Sequence, residues 1–355
     1  MNGLCDSNGN MMNESLKLQE YEGLPEGLLD LEAQQLAGVL PGPTLIHLPG
    51  RRPEPLFVSV LMHGNETVGW EAMRQLLSRY GSGDGLPRAL SLFVGNVQAA
   101  AQGVRRLPDQ PDFNRIWPGG EEAETPEHTL MSRVVEIMAA RQPFASVDVH
   151  NNTGLNPHYA CVNRLDTPFL HLAQLFGRTV VYFLQPKGVQ SMAFAELCPA
   201  VTLECGKVGQ AYGVEHAAEY LDACLHLSEH PQHSVAPQDI DLFHTVARVL
   251  VSPQVSIGFS PAEVDVVFEP DLDRLNFQEL ATGTPFGRVN GSGLAALEVI
   301  DERGRDRVAD YFVVKQGQLL LRRPVMPSML TRDVSVIRQD CLCYLMERYS
   351  DHLVV

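Results

Sequence analysis

The amino-acid sequence predicts an α/β fold: a mixed, mostly parallel sheet flanked by helices, followed by a smaller C-terminal antiparallel β domain. Three observations carry that prediction. Between about residues 43 and 232, short apolar runs alternate with segments whose apolar residues recur at helical spacing, the pattern of a sheet covered on both faces. A polar, proline-bearing stretch, HLSEHPQHSVAPQD at 226–239, then interrupts the alternation. Beyond it the chain breaks into short alternating segments separated by Gly, Pro and Asp, the texture of antiparallel strands and turns. The divisions that follow are a polar tail over 1–22, a first domain over 23–232 and a β domain over 233–355.

Taken in order, the opening MNGLCDSNGNMMNESLKLQE has neither a basic start nor an apolar core. It is no secretory signal, and its polarity gives it little to bury. TLIHL (44–48), LFVSVLM (56–62), LSLFVG (90–95), FASVDVH (144–150), TVVYFL (179–184) and AVTLEC (200–205) are apolar runs of strand length. ETVGWEAMRQLLSRY (66–80), TPEHTLMSRVVEIMAAR (125–141) and PFLHLAQLFG (168–177) are amphipathic helices. The second of these has Thr125 as N-cap and Pro126 at the first helical position, where a missing N–H is harmless. In the β domain, TVARVLVSP, AEVDVVFEP, GRVN, ALEVID and DYFVVKQGQLLLRRP read as strands, whereas QDCLCYLMERY suits a strand or a helix.

Composition narrows the function. The balance of 27 basic against 43 acidic residues leaves a charge of −16, which argues against nucleic acid or an anionic membrane as partner. No apolar run approaches the length of a membrane span. The seven cysteines are scattered without CxxC pairs, as expected of reduced thiols in a cytoplasmic protein. A small anionic substrate is compatible with this field only beside a local cluster of arginines.

The run LFVSVLM is followed at once by His63, Gly64, Asn65 and Glu66. Gly64 and Asn65 suit a turn and Glu66 an acidic helix start, so alone the segment is an ordinary strand-to-helix connection. A second imidazole alters that reading, because FASVDVH ends on His150, 84 residues after Glu66 (150 − 66). Parallel strands deliver their carboxyl ends to one sheet edge, where ligand sites gather; His63, Glu66 and His150 are expected to meet there. Two imidazoles and one carboxylate suit zinc, and three protein ligands leave a position for water or substrate, as in catalytic rather than structural sites. Asp148 shares the strand face of His150 and competes with Glu66 as the carboxylate ligand; a supporting role is preferred for it, since Glu66 completes the ligand count.

Amide hydrolysis at such a centre needs a group that takes a proton from water and returns it to the leaving amine. In AVTLECGKVG, Thr202 and Glu204 share one strand face and Val201 and Leu203 the other, before Gly206 turns the chain. Glu204 is thus an ionisable group on a buried strand, although this stretch alone is better satisfied by a solvent-facing acid or a pair with Lys207. GNVQAAAQGVRRLPDQPDFNRIWPGG (95–120) adds Arg105, Arg106, Asp112, Asn114 and Arg115 in an irregular segment, a frequent seat of function. Guanidinium groups clamp carboxylates or stabilise an oxyanion, and Asp112 is suited to hold the outer nitrogen of a ligating imidazole. Taken singly, each arginine is a solvated surface group. His47, His128, His171 and His244 read as packing or surface residues and His226, His230 and His233 as a linker tract. His158 is placed to line a pocket, and Cys205 reads as a small apolar filler.

Four motifs in order, His63-Gly-Asn-Glu66, Asp112-Phe-Asn114-Arg115, Asp148-Val-His150 and Thr202-Leu-Glu204-Cys-Gly206, resemble those of the succinylglutamate desuccinylase/aspartoacylase family, a branch of the zinc-carboxypeptidase superfamily. LNFQELATGTPFGRVNG (275–291) looks like the C-terminal β domain of bacterial succinylglutamate desuccinylases, so the resemblance covers most of the chain. It implies one zinc per chain held by His63, Glu66 and His150, with Glu204 as general base and later acid. It also implies that Asn114 and Arg115 grip the substrate carboxylate, that an upstream arginine polarises the scissile carbonyl, and that Asp112 orients His63. In the family that arginine lies eight residues before the substrate-binding one, whereas Arg106 lies nine before Arg115 (115 − 106); between Arg105 and Arg106, the latter is the smaller displacement and is preferred. HNNTGLNPHYACVN after His150 differs from a desuccinylase: Asn151 and Thr153 are nearer the aspartoacylase side, while Asn156-Pro157-His158 matches neither.

The expected protein is a zinc-dependent hydrolase cleaving the amide bond of a small anionic N-acyl amino acid. A zinc carboxypeptidase acting on a peptide or peptidoglycan fragment shares the constellation, and a non-catalytic binding module would share the fold. The acyl group, the amino acid and the oligomeric state are not set by the sequence.

Overall fold

A computed structural model describes residues 17–81, 85–121, 125–260, 263–291 and 293–349. Most of the polar tail expected over 1–22 therefore lies outside the described residues. Its end, Gln19–Glu22, is a strand (β1) paired in parallel with β2, Thr44–Leu48.

The chain divides into two units. The first holds the residues up to Asn151, Ala160–Gly177 and Pro186–Val235; the second holds Asn152–Tyr159, Arg178–Gln185 and the chain from Ala236. The boundary after Val235 falls inside the polar stretch 226–239.

In the first unit β3 (Gly50–Val60), β4 (Leu86–Val94), β5 (Ala145–Asn152), β6 (His158–Val162) and β8 (Ala200–Lys207) join β1 and β2 in the order β1-β2-β4-β3-β5-β8-β6. β3 is parallel to both β4 and β5, and β2 is antiparallel to β4, which makes the sheet mixed. Every residue of β5 and all but the last of β8 is buried. These strands are covered on both faces and so read as continuous apolar runs rather than alternating ones. Ser146, Asp148 and His150 interrupt that apolarity on a single face of β5, and buried polar groups must find partners.

Helices α1 (Val68–Tyr80), α2 (Val97–Gln102), α3 (Pro126–Arg141), α4 (Thr167–Gln174), α5 (Gln190–Phe194) and α6 (Ala211–His226) belong to the same unit. α1 turns Trp70, Met73, Leu76 and Leu77 inward, and it comes close because Gly69 has no side chain: a Cβ there would lie 2.9 Å from Val60 and 3.1 Å from Val149. Thr125 caps α3, its hydroxyl accepting from the His128 N–H at 3.3 Å. On the opposite face Phe57 stacks on Phe194 at 4.1 Å, and Trp117 sets its edge against Phe93 and Phe194.

The second unit is built around strand β9 (Asp241–Val251). β7 (Thr179–Tyr182) pairs with β9 in parallel, and Cys343–Arg348 and Leu297–Asp301 pair with it antiparallel; the segment QDCLCYLMERY thus resolves as a strand. A separate five-stranded, mainly antiparallel sheet contains the hairpin Phe312–Lys315 and Gln318–Leu321. Val266, Phe268, Phe286, Phe312 and Leu319 are among the side chains of its core. Among the described residues no helix is long and apolar enough to cross a membrane, and the six described cysteines are free and buried.

Candidate metal centre

The chain leaves β3 through Leu61, whose backbone is left-handed (φ 56°), a conformation that non-glycine residues adopt only when surroundings enforce it. The Leu61 carbonyl accepts from Asn96 N at 2.7 Å, tying the end of β3 to the start of α2. Gly64 does more than turn the chain. A Cβ there would sit 2.2 Å from Ala100 N and 2.3 Å from the Ala99 carbonyl carbon, so only glycine lets α2 pack this closely. Gly64 N in turn donates to Arg105 O at 3.0 Å, which pins the arginine-bearing segment beside His63.

His63, Glu66 and His150 converge, their ligand atoms all within 4.8 Å of one another. His63 Nδ1 donates to Glu66 Oε1 at 2.8 Å, and His150 Nδ1 to Glu66 Oε2 at 2.7 Å. The outer nitrogens are held as well: His63 Nε2 lies 3.1 Å from Asp112 Oδ1, and His150 Nε2 lies 2.7 Å from Asp148 Oδ2. Each imidazole thus presents Nδ1 to a common point while a carboxylate fixes its far side, the arrangement that orients metal-ligating histidines. Asn151 closes the cluster, its side-chain oxygen accepting from Val68 N at the head of α1 and its own N–H donating to Glu66 Oε2 at 3.3 Å.

The arginine-bearing segment departs from expectation. Arg105, buried, donates to Asp112 Oδ2 from Nη2 at 2.9 Å and lies 3.6 Å from Glu66 Oε1 through Nη1. Arg106 turns instead into its own loop, donating from Nη1 to Gln110 O at 2.8 Å. The Gly64–Arg105 backbone bond and Asp112 together draw the first arginine, not the second, to the cluster, whereas the sequence expectation prefers Arg106 at the carbonyl. Asn114 is buried, with Nδ2 donating to Asp148 Oδ2 at 3.1 Å and Oδ1 accepting from Gln190 N at 2.9 Å. Both ends of its amide are engaged by the fold. Arg115 is half-buried; its Nη1 donates to Asn114 O at 2.7 Å, and a Cβ on Gly188 would lie 2.0 Å from its carbonyl oxygen.

Glu204 is placed by the strand faces. Gln190 Nε2 donates to Ser146 Oγ, and the neighbouring Ser191 Oγ accepts from Thr202 Oγ1 at 3.1 Å. Thr202 therefore shares the face of Ser146, Asp148 and His150, and Glu204, two residues on, falls there too. Two further contacts, Ser146 N to Pro199 O at 2.9 Å and Asn151 Nδ2 to Gly206 O at 3.3 Å, bracket the level at which Glu204 stands beside His150. Glu204 is buried, and its charge adds to burial in raising the Cys161 thiol well above its ordinary value. Burial likewise raises Cys205, helped by Glu204 and Glu66, so this thiol is no nucleophile.

Burial pushes the Glu66 carboxyl up, but the His63 and His150 rings outweigh it and hold the group well below the usual range. Burial also opposes ionisation of Asp112, which Arg105 and His63 overcome. For His150 burial favours the neutral ring, yet Asp148 and Glu66 prevail and raise it well above its ordinary value of 6.5. Two inner nitrogens and a carboxylate, backed by acceptors on both outer nitrogens, are the donor set of a borderline-soft divalent ion such as zinc. A second grouping, Glu20, Glu22 and His47, is already spanned by Arg141, whose Nη2 lies 3.7 Å from Glu20 and is bonded to Glu22.

The raised value of His150 favours its protonated ring in the absence of metal, and a metal taking Nδ1 must displace that proton. Zinc binding is therefore expected to release about one proton per chain near pH 7, read by calorimetry in buffers of different ionisation heat. The release shrinks as pH rises through the elevated folded value, where the ring is already neutral. The same linkage makes the His150 contribution to metal-free stability complete below 6.5 and lost as pH rises through that folded value.

Residues 55–229 match the succinylglutamate desuccinylase/aspartoacylase catalytic domain. That stretch carries His63, Glu66, Asp112, His150 and Glu204 together. Residues 55–229 belong to this family. A succinylglutamate desuccinylase from Pseudomonas fluorescens (strain Pf0-1) is 36% identical over 86 residues, 24% of this chain and 25% of that protein; the aligned stretch thus spans about a quarter of the curated relative. Among solved structures, a succinylglutamate desuccinylase from Vibrio cholerae aligns with TM-score 0.56 at 15% identity, covering 86% of this chain and 87% of that one. One from Chromobacterium violaceum gives 0.52 at 18% identity, covering 84% and 86%. A variant of murine aminoacylase 3 gives 0.51 at 15% identity, covering 84% and 95%. At such identities these structures speak for the fold, and it is the expected one: a mixed sheet with flanking helices and a smaller antiparallel sheet toward the C-terminus.

Against the family motifs, sequence reading missed the groups that hold them in place. Ser59 and Gln190 are buried in mid-strand or short-helix positions and carry no signal of their own. Asn151 ties α1, Glu66 and Gly206 together, a role that its place in the sequence does not signal.

Proposed function

We propose that this protein is a zinc-dependent hydrolase that cleaves the amide bond of a small, carboxylate-bearing N-acyl amino acid. The observation that carries the reading is the pair of imidazoles whose Nδ1 atoms meet one carboxylate while Asp112 and Asp148 hold both Nε2 atoms. His63, Glu66 and His150 would hold one zinc per chain. When bound, zinc supplies Lewis acidity toward the carbonyl and lowers the pKa of water. Glu204 takes the proton from the attacking water and delivers it to the departing nitrogen. Its buried position on the His150 face favours that shuttle over a solvent role.

Arg105, at the ligand cluster, stabilises the negative charge that develops on the carbonyl oxygen. Asp112 orients both His63 and Arg105, so one carboxylate sets the angle of two working groups. Arg115, in the family's substrate-binding motif, meets a substrate carboxylate, and Asn114 holds the backbone that carries it. Local guanidinium charge is what lets an anionic substrate approach a chain of net charge −16.

Metal analysis and a substrate panel test the reading. Purified protein is expected to carry stoichiometric zinc and to release free amino acid from N-succinyl or N-acetyl substrates bearing a carboxylate. Protein that neither retains zinc nor releases amino acid across that panel would overturn it. The arginine assignment has its own check. Arg105→Lys is expected to lower kcat by about 100-fold with little change in KM, because a bidentate guanidinium is not replaced by an ammonium. Arg106→Lys is expected to be near neutral, and a larger loss at Arg106 than at Arg105 would reverse the assignment.

A further inference from the structure

We infer that Ser59, in the middle of β3 and distant in sequence from every motif, is a positioning residue for the metal centre, acting on His150 through Asp148. The inference rests on the proposed zinc site. Ser59 and Asp148 are direct partners in the parallel β3–β5 register, and both are fully buried. Ser59 Oγ donates to Asp148 Oδ1 at 2.7 Å, while Asp148 Oδ2 accepts from His150 Nε2 at 2.7 Å and from Asn114 Nδ2 at 3.1 Å.

A buried carboxylate with three donors has one favourable plane. Ser59 holds one oxygen and Asn114 the other, so Oδ2 is presented to the imidazole at a fixed angle. The imidazole plane in turn sets where Nδ1 points, which is toward Glu66. Removing the Ser59 hydroxyl leaves Oδ1 without a side-chain donor among the described residues and frees the carboxylate to rotate. A hydroxyl on a strand face that is otherwise tightly packed has no apolar reason to be there. Val58 and Val60, its neighbours, point to the other face, where Val60 meets Gly69 of α1.

The test compares zinc affinity, by chelator competition, and the visible spectrum of the cobalt-substituted protein. Ser59→Ala is expected to bind zinc about tenfold more weakly, as losses of outer-shell partners do, and to shift the cobalt absorption bands. Ser59→Cys, closer in volume but a weak donor, is expected to behave alike and covers the case of an unstable alanine variant. Because the effect travels through Asp148, Ser59→Ala should add nothing in an Asp148→Asn background. Ser91→Ala is the control: that hydroxyl is also buried on the sheet and bonded to an imidazole, His47 Nδ1 at 2.8 Å, but serves no metal ligand. It is expected to change stability and leave zinc affinity and the cobalt spectrum alone. Unchanged affinity and spectrum in both Ser59 variants, or additive losses with Asp148→Asn, would overturn the inference while leaving the zinc site standing. Failure of the unsubstituted protein to bind zinc would overturn both.

Discussion

Glu204→Gln is expected to lose about a thousandfold in kcat, within the range that a general acid–base supplies, while keeping its full complement of zinc. The two halves of that result are separable because Glu204 is not one of the converging ligand atoms. Gln preserves the volume of the side chain, so β8 and its buried neighbours are not disturbed. It removes only the capacity to accept a proton from water and to return it. A thousandfold corresponds to about 4 kcal/mol of transition-state stabilisation, far above the effect of a remote charge in a buried pocket. KM should change little, since Arg115, the residue proposed to meet the substrate carboxylate, is untouched. Steady-state kinetics on the best substrate of the panel, with elemental analysis of the same preparation, reads both quantities. A variant that turns over at the original rate would remove Glu204 from the mechanism, and one that also loses zinc would make it a ligand.

How much of this was written in the sequence depends on the range of the interaction. Strand and helix cores were legible because apolar periodicity is local: TLIHL is a strand over Thr44–Leu48, and Pro126–Arg141 is a helix capped by Thr125. The convergence of His63, Glu66 and His150 was legible because polar residues at the ends of buried strands have few structural reasons to be there, and parallel strands bring such ends together. β1 was hidden in a polar tail, since it is an edge strand with alternate residues exposed. α6 follows β8 with Ala217, Ala218, Leu221, Cys224 and Leu225 buried, a helical spacing that the strand signal of the preceding run obscured.

Which of the two arginines lies beside the cluster was not legible. Arg105 and Arg106 are neighbours with the same chemistry, and the choice is made by Gly64, whose backbone reaches Arg105 O from another element. Asn114 is a similar case. Its motif resembles a substrate clamp, but a partner 76 residues later in the chain, Gln190, takes up its side-chain oxygen. Such contacts have no local signature, because they follow from tertiary packing rather than from the residues beside them.

His63→Ala should abolish zinc retention, and with it activity, without unfolding the protein. Only Glu66 and His150 would remain as ligands, and two are too few for a tetrahedral site that must also keep a position for substrate. The buried carboxylates that His63 served would not be stranded. Asp112 keeps Arg105 at 2.9 Å, and Glu66 keeps His150 at 2.7 Å with Arg105 Nη1 at 3.6 Å. The stability cost is therefore expected to be about 1–3 kcal/mol, that of losing one buried partner. Asp112→Asn makes the informative comparison: it leaves all three ligands in place and loosens the outer nitrogen of one, so affinity should fall only about 10–100-fold. Zinc per chain after dialysis, read beside the thermal midpoint, orders the three proteins. If His63→Ala kept its zinc while Asp112→Asn lost it, the first imidazole would be a bystander and Asp112 a ligand, and the coordination would have to be redrawn around the carboxylates.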